Sequence, residues 1–428
     1  MTELTIPVDR RTRPIAPSAC CPSVQFVYFD AGGGHRSAAL ALRQIIEQRY
    51  PTWQVELVNL QELLRPVDPM LRLTRRRVSS ETVYNGMLKR GWTYGSLPLL
   101  RGLQAGIRLR AAPIEALLET HWRRRSADIV VSLIPNFNGV LFRSLRRVHA
   151  EVPYVTIMTD IADQPPRFWQ EDQDQFIICG SDKAAEQARA RHYRPERIMQ
   201  VSGMVLGPRF YQAARIDRRA ERLGLGLDPD LPTALIMFGG NGSKLALTIV
   251  ERLARLPFAV QSIVMCGHNR LLAAQLARTE RCRAVGFTDQ VPHYMRLADF
   301  FIGKPGPGSI SEALHLGLPV IIERNRRTMP QERYNAEWVA QHEVGLVIRD
   351  LRHVGQAVTA LYRDDRLHVF RRNALGLRNR ALFEIPDRLA SIMDRSLRAY
   401  PVKSDTHYMW GGPMLPNKAG HRLAPRRR

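Results

Sequence analysis

Three times in this chain a short apolar run ends in a glycine cluster that opens onto a helical stretch. That punctuation constrains the fold more than any other feature. Residues 24–29 lead into Asp30-Ala31-Gly32-Gly33-Gly34-His35, and residues 234–238 into Gly239-Gly240-Asn241-Gly242-Ser243-Lys244. Residues 300–303 lead into Lys304-Pro305-Gly306-Pro307-Gly308-Ser309. An apolar run too short for a helix, bounded by turn residues, reads as a strand buried on both faces. Further runs fall at 53–59, 129–133, 154–159 and 176–179, and then at 260–266, 284–287, 320–323 and 345–348. Helical or turn signals separate them. Strands alternating with helices predict parallel sheets covered on both sides, an α/β fold.

The rhythm breaks over 207–232, where Gly207, Pro208, Gly224, Gly226, Pro229 and Pro232 gather, and then restarts. A chain of 428 residues exceeds what one core usually serves, so two domains are expected. The predicted organisation is a flexible arm over 1–23, an N-terminal Rossmann-like domain over 24–206 and a linker over 207–232. A C-terminal Rossmann-like domain over 233–384, a helix over 385–400 and a disordered basic tail over 401–428 complete it. Five scattered cysteines show no metal-type or C-x-x-C spacing and suggest a reducing compartment. No signal-peptide core and no transmembrane run is read from the sequence.

Charge is the outlier. Sixty-three Lys and Arg against forty Asp and Glu give +23, which favours polyanionic partners without choosing among them. Residues 60–125 carry thirteen Lys/Arg against five Asp/Glu, interleaved with Tyr84, Trp92, Tyr94 and Trp122. That mixture suits a surface lying on an anionic bilayer, and it would also suit nucleic acid. A solvated face is the plainest alternative.

Each glycine cluster has a chemical reading beside a plain one. Gly32, Gly33 and Gly34 let a ligand approach the backbone, and the following helix start offers free N–H groups. It is not a G-x-G-x-x-G fingerprint. His35, at that helix start, is disfavoured as a cation by the dipole, so it should stay neutral and able to accept a proton. A capping or solvent-facing His is the bland alternative. In 303–312, Gly306 and Gly308 open space for a diphosphate and Glu312 could take ribose hydroxyls; Ser309-x-x-Glu312 also reads as a capping box needing no ligand. Gly239, Gly240 and Ser243 mirror the first cluster, without Walker A spacing. Gln331, Glu332 and Asn335 suit sugar hydroxyls, or simply a polar helix start.

Together these residues resemble glycosyltransferase family 28, nearest to the monogalactosyldiacylglycerol synthases and bacterial diacylglycerol glycosyltransferases. The most specific parts are Gly32-Gly33-Gly34-His35, the segment 303–312 and the Gln331–Glu332 pair. The resemblance implies a GT-B fold whose N-terminal domain takes a lipid acceptor and whose C-terminal domain takes a UDP-sugar. It implies inversion, no metal and no cofactor beyond the UDP-sugar co-substrate, at the cytoplasmic face of an anionic membrane, with no nucleic-acid partner. Gly239, Gly240 and Ser243 would then line the phosphates, and Phe287 would present its backbone to uracil. Gly306, Gly308 and Ser309 would hold the diphosphate, and Glu312 the ribose. Gln331 and Glu332 would bind the sugar, with Asn335 nearby. His35 would be the base or would orient the acceptor hydroxyl, and Asp160 is a second candidate base. The loop 160–169 lacks the family's histidine but keeps Trp169, and 325–329 is Arg-rich where relatives carry an uncharged turn. A soluble acceptor, an N-acetylglucosaminyltransferase-type reaction or a UDP-sugar epimerase remain open alternatives.

Overall fold

The computed structural model describes residues 21–30, 33–68, 96–213 and 215–399. Gly32, residues 1–20 of the expected arm, 69–95 of the basic stretch (with Tyr84, Trp92 and Tyr94) and the tail 401–428 lie outside the described residues.

Two six-stranded parallel sheets form the frame. The first contains β1 (Ser23–Tyr28), β2 (Gln54–Asn59), β3 (Ile129–Ser132), β4 (Tyr154–Ile157), β5 (Phe176–Cys179) and β6 (Ile198–Gln200), in the order β2-β1-β3-β4-β5-β6. The second contains β7 (Thr233–Met237), β8 (Gln261–Gly267), β9 (Cys282–Gly286), β10 (Phe300–Gly303), β11 (Val320–Glu323) and β12 (Gly345–Ile348). Its order is β12-β11-β10-β7-β8-β9, the dinucleotide-fold sequence 3-2-1-4-5-6 counted from β7. Every expected strand is present, and β6 is an addition. The central strands are buried along their whole length, Tyr154–Ile157 and Phe300–Phe301 among them, as continuous apolar runs require.

Helices cover both faces. α1 (Gly34–Arg49) packs Ala38, Leu42, Ile45 and Ile46 on the first sheet. α2 (Leu60–Leu64), α3 (Ser96–Leu109), α4 (Ala111–Arg124) and α5 (Asn138–Val148) follow. α4 places Ile114, Leu118 and Trp122 in the core of the other face. Trp122 therefore belongs to the interior, where its indole N–H donates to Ser144 Oγ at 3.0 Å, and is not available to a membrane. α6 (Asp182–Ala190) and α7 (Arg218–Gly224) lead to the second sheet. That sheet is flanked by α8 (Leu245–Leu253), α9 (Arg270–Leu276), α10 (Val291–Leu297), α11 (Pro307–His315), α12 (Arg333–Gln341), α13 (Val354–Leu361) and α14 (Arg366–Gly376).

The last helix, α15 (Ala381–Ala399), crosses back to the first half. Leu382, Ile385, Leu389 and Ile392, at helical spacing, join the core that α1 caps. Arg49 Nη2 and Tyr50 Oη both reach Asp387 Oδ1 at 2.8 Å. Asn379 Nδ2 donates to the Met204 carbonyl at 2.9 Å, so the two chain crossings are tied to each other.

Candidate active site

In both sheets the functional loops leave the carboxyl ends of strands, where ligands of open α/β sheets bind. β7 and β10 are the pair at which the second sheet's order reverses, and two glycine loops leave their ends. From the first sheet the loop after β4 reaches them, with Asp160 in electrostatic range of Lys304 and Glu332, and His35 after β1 packs on that loop at Thr159 and Trp169. Ile161, Ala162 and Met204 of the first half form one apolar cluster with Tyr334 of the second, which closes one side of the cleft.

On the first side, Gly33 caps α1 in the left-handed conformation (φ 78°), which favours glycine. A Cβ at Gly33 or Gly34 would meet nothing within 4 Å, so the backbone there is open to a ligand. His35 is half-buried in the first turn of α1. Its Nδ1 lies 3.1 Å from Thr159 Oγ1, and its ring sits 5.8 Å from the Trp169 ring. Burial pushes its pKa down to about 4, opposed by a backbone hydrogen bond at Leu133. Burial, rather than the helix dipole, is thus what favours the neutral imidazole here.

Asp160 is buried beside it. The Trp169 indole N–H donates to Asp160 Oδ2 at 2.8 Å. Desolvation raises the Asp160 pKa to about 7. The Trp169 hydrogen bond and the Lys304 charge lower it, whereas Glu332 and Asp163 raise it. Lys304 and Glu332 come from the second half, so the two halves feel each other electrostatically at this carboxylate. A group poised near neutrality is what proton abstraction needs. The loop 160–169 is held by Asp163, whose Oδ1 accepts from the N–H groups of Phe168 (2.9 Å) and Trp169 (2.7 Å).

On the second side the ligand-facing surface is mostly backbone. A Cβ at Gly239 or Gly308 would meet nothing, and one at Gly240 would touch only the Phe287 ring at 3.8 Å. Ser243 Oγ accepts from Leu245 N at 3.3 Å at the entry to α8. Gly306 is the N-cap of α11, with Pro307 in its first turn and no side-chain cap. The Ser309–Glu312 capping box does not form, because both residues lie inside α11. The first N–H groups of that helix remain available to an anion. Glu312, half-buried, has its pKa raised to about 7 by desolvation, opposed by the Arg209 charge. Phe287, at the end of β9, is 65% exposed and stacks on His268 at 4.0 Å.

Glu332 is buried in a short 3-10 turn and accepts from Lys304 Nζ at 3.0 Å. Gln331 is half-buried beside it. Asn335 is fully buried; its Nδ2 donates to the Pro305 carbonyl at 2.7 Å, and its Oδ1 is unpartnered among the described residues. Asn335 thus braces the 303–312 loop. The structure brings Gly306, Lys304, Glu332 and Asn335 together, and Asp160 within electrostatic reach of the Lys304–Glu332 pair. Gly32 lies outside the described residues. Residue types alone did not single out Lys304, Thr159 or Arg209; the Lys304–Glu332 and Thr159–His35 contacts span 28 and 124 positions.

Comparison with known proteins gives the same direction. Residues 233–366 match the glycosyltransferase family 28 C-terminal domain. A probable monogalactosyldiacylglycerol synthase 2 of Oryza sativa subsp. indica is 28% identical over 403 residues, covering 89% of this chain and 81% of that protein. The Acinetobacter baumannii MurG structure superposes with a TM-score of 0.57 at 12% identity, covering 86% of this chain and 100% of that one. Anabaena Alr3699/HepE, solved in complex with UDP-glucose, superposes at 0.50 with 14% identity, covering 87% and 99%. The architecture is the GT-B fold.

Proposed function

We propose that this chain, a glycosyltransferase carrying the family 28 C-terminal domain, moves a hexose from a UDP-sugar to the hydroxyl of diacylglycerol. The similarity to monogalactosyldiacylglycerol synthase along 89% of the chain is the observation that carries this reading. The reaction we infer is an inverting displacement at a membrane surface, on the cytoplasmic side, without a resident metal.

In this reading Asp160 takes the proton as the acceptor hydroxyl attacks the anomeric carbon. Its raised pKa makes it the stronger base of the two candidates, and neutral His35 orients the acceptor hydroxyl. The bond to the UDP oxygen breaks as the new glycosidic bond forms. The departing diphosphate is received by the N–H groups of Gly308 and Ser309, since Pro307 has none and that of Gly306 is held by the Lys304 carbonyl at 2.8 Å, and by the Gly239–Gly240 loop. Glu312 holds the ribose, and Gln331 and Glu332 hold the sugar.

The acceptor side supports a lipid. Leu100 of α3 packs against the cluster containing Phe168 and Trp169, and Gln104 Nε2 donates to Asn136 Oδ1 at 2.9 Å. The same helix exposes Leu103, between Arg101 and Arg108, and Leu109 (87% exposed), between Arg108 and Arg110. Exposed leucines flanked by arginines suit the interface of an anionic bilayer. Among the described residues no helix is long and apolar enough to cross a membrane.

The test is direct. Enzyme is incubated with diacylglycerol vesicles and UDP-galactose or UDP-glucose, with and without EDTA. A β-linked glycosyldiacylglycerol formed equally under chelation is the expected result. Transfer only to a soluble or N-acetylglucosaminyl-type acceptor, or sugar epimerisation without an acceptor, overturns the assignment.

A further inference from the structure

Away from the cleft, on the helical face of the second sheet, α8 and α13 line an open surface hollow of about 460 Å³. That lies within the roughly 300–1,000 Å³ typical of small-molecule sites. Its wall carries four guanidinium groups: Arg252 and Arg255 from the end of α8, and Arg352 and Arg363 from either end of α13. Leu253, Val354, Val358 and Leu361 pin the two helices to one core. Gly355 lets them approach closely, since a Cβ there would stand 3.4 Å from Leu256 Cδ2.

The arginines are not neutralised. Among the described residues no carboxylate lies within ion-pair distance of Arg252, Arg255 or Arg363; only Arg352 is paired, with Asp350 at 2.8 Å. Some arginines elsewhere are matched, Arg194 and Arg197 sharing Asp174 and Arg219 pairing with Asp230, and single exposed ones such as Arg278 and Arg283 have no ion pair among the described residues; here three unmatched guanidinium groups line one hollow. Arg252 is half-buried, anchored through Nη1 to the Arg352 carbonyl at 3.2 Å, and its Nε is buried without a partner. A buried unpaired donor costs stability unless an acceptor completes it, and the neighbouring like charges repel unless an anion offsets them. Guanidinium forks match phosphate oxygens in pairs. Arg252 also lies about 10 Å along α8 from Leu245, where the donor loop ends, so the hollow is separate from the donor loops.

We propose that this hollow is a second anion site, which takes a ligand bearing a multiply charged phosphate group. The source of that phosphate is either a lipid headgroup or a free phosphorylated molecule, and two experimental arms distinguish them. In the first, the full chain, its donor site saturated with UDP, is titrated calorimetrically with inorganic pyrophosphate. In the second, it is sedimented with phosphatidylcholine vesicles with and without phosphatidic acid. Each arm compares wild type with Arg255→Gln/Arg363→Gln, two exposed positions whose replacement leaves UDP affinity as the check on folding. The variant should lose affinity by about tenfold or more, as expected for removed charged hydrogen bonds. A loss confined to pyrophosphate identifies a soluble ligand, and one confined to phosphatidic acid identifies a headgroup. If the double variant misfolds, Arg363→Gln alone is used. Indistinguishable behaviour of a folded variant and wild type in both arms overturns the site.

Discussion

The two halves share a parallel-sheet plan yet equip the cleft in different ways. The N-terminal side offers side chains: His35 against Thr159, its pKa pushed down to about 4 by burial, and Asp160 against Trp169, its pKa pushed up to about 7. The C-terminal side offers main chain: Gly239, Gly240, Gly306 and Gly308, where an added Cβ finds open space or light contact, and a helix start without a side-chain cap. Glycines of the same half that serve the fold behave otherwise. At Gly303 and Gly345 a Cβ would strike backbone oxygen at 2.6 and 2.0 Å. The lesson is a division of labour: groups that change protonation lie on one side, and fixed donors for an anion on the other. Substitutions should therefore lower turnover on the first side and weaken donor binding on the second.

The largest effect tests the proton side. Asp160→Asn keeps the Trp169 contact but removes the base, so kcat should fall by about 10³-fold with folding intact. The wild-type rate should rise with pH through about 7, because only the ionised carboxylate accepts a proton. A limb near 4 instead would transfer the base role to His35. Next in size is Gly306→Val, which fills the space beside Lys304 and Glu332. KM for the UDP-sugar should rise by about 10–100-fold, with kcat changed much less. A loss in kcat alone would break the proposed division.

Much of this was readable in the chain. Doubly buried strands are continuous apolar runs, and glycine clusters mark where those runs meet ligand. β6 escaped because it has only three residues, Ile198–Gln200, one of them exposed. The return of α15 onto α1 escaped because its apolar stripe names no partner. The site is less legible than the fold for the same reason. Asp160 is an ordinary acidic residue until Trp169, Lys304 and Glu332 surround it. The capping-box reading of Ser309–Glu312 was decided by where α11 begins, at Pro307, which spacing alone does not fix.

Glu312 sharpens the comparison, because it is the one donor-side carboxylate with a strongly raised pKa. A folded pKa near 7, above the unfolded value of 4.5, means that the empty protein binds more protons than the unfolded chain between those values. Its burial therefore costs stability in full above pH 7, and the cost fades as pH falls towards 4.5. Glu312→Gln should raise the Tm of the UDP-free enzyme at pH 8 by a few degrees, and the gap should close near pH 4.5. The same variant should bind UDP about tenfold more weakly, having lost a charged hydrogen bond to ribose. An unchanged UDP affinity would remove Glu312 from the ribose site.

The smallest expected effect is the most discriminating. Phe287 is mostly exposed, and its ring stacks on His268 beside Gly240 of the glycine loop. If the C-terminal half works through main chain, then Phe287→Ala keeps both groups that uracil would contact, the N–H and the carbonyl. Its donor KM should stay within about threefold of wild type, as for an ordinary surface substitution. The ring could instead stack on the base, in which case the same substitution would cost as much as Gly306→Val. The C-terminal half would then recognise its ligand by side chain, as the N-terminal half does. Measuring both variants against UDP and against uridine separates the outcomes, because a stacking loss persists with uridine, which keeps the base, whereas a diphosphate loss is seen with UDP alone.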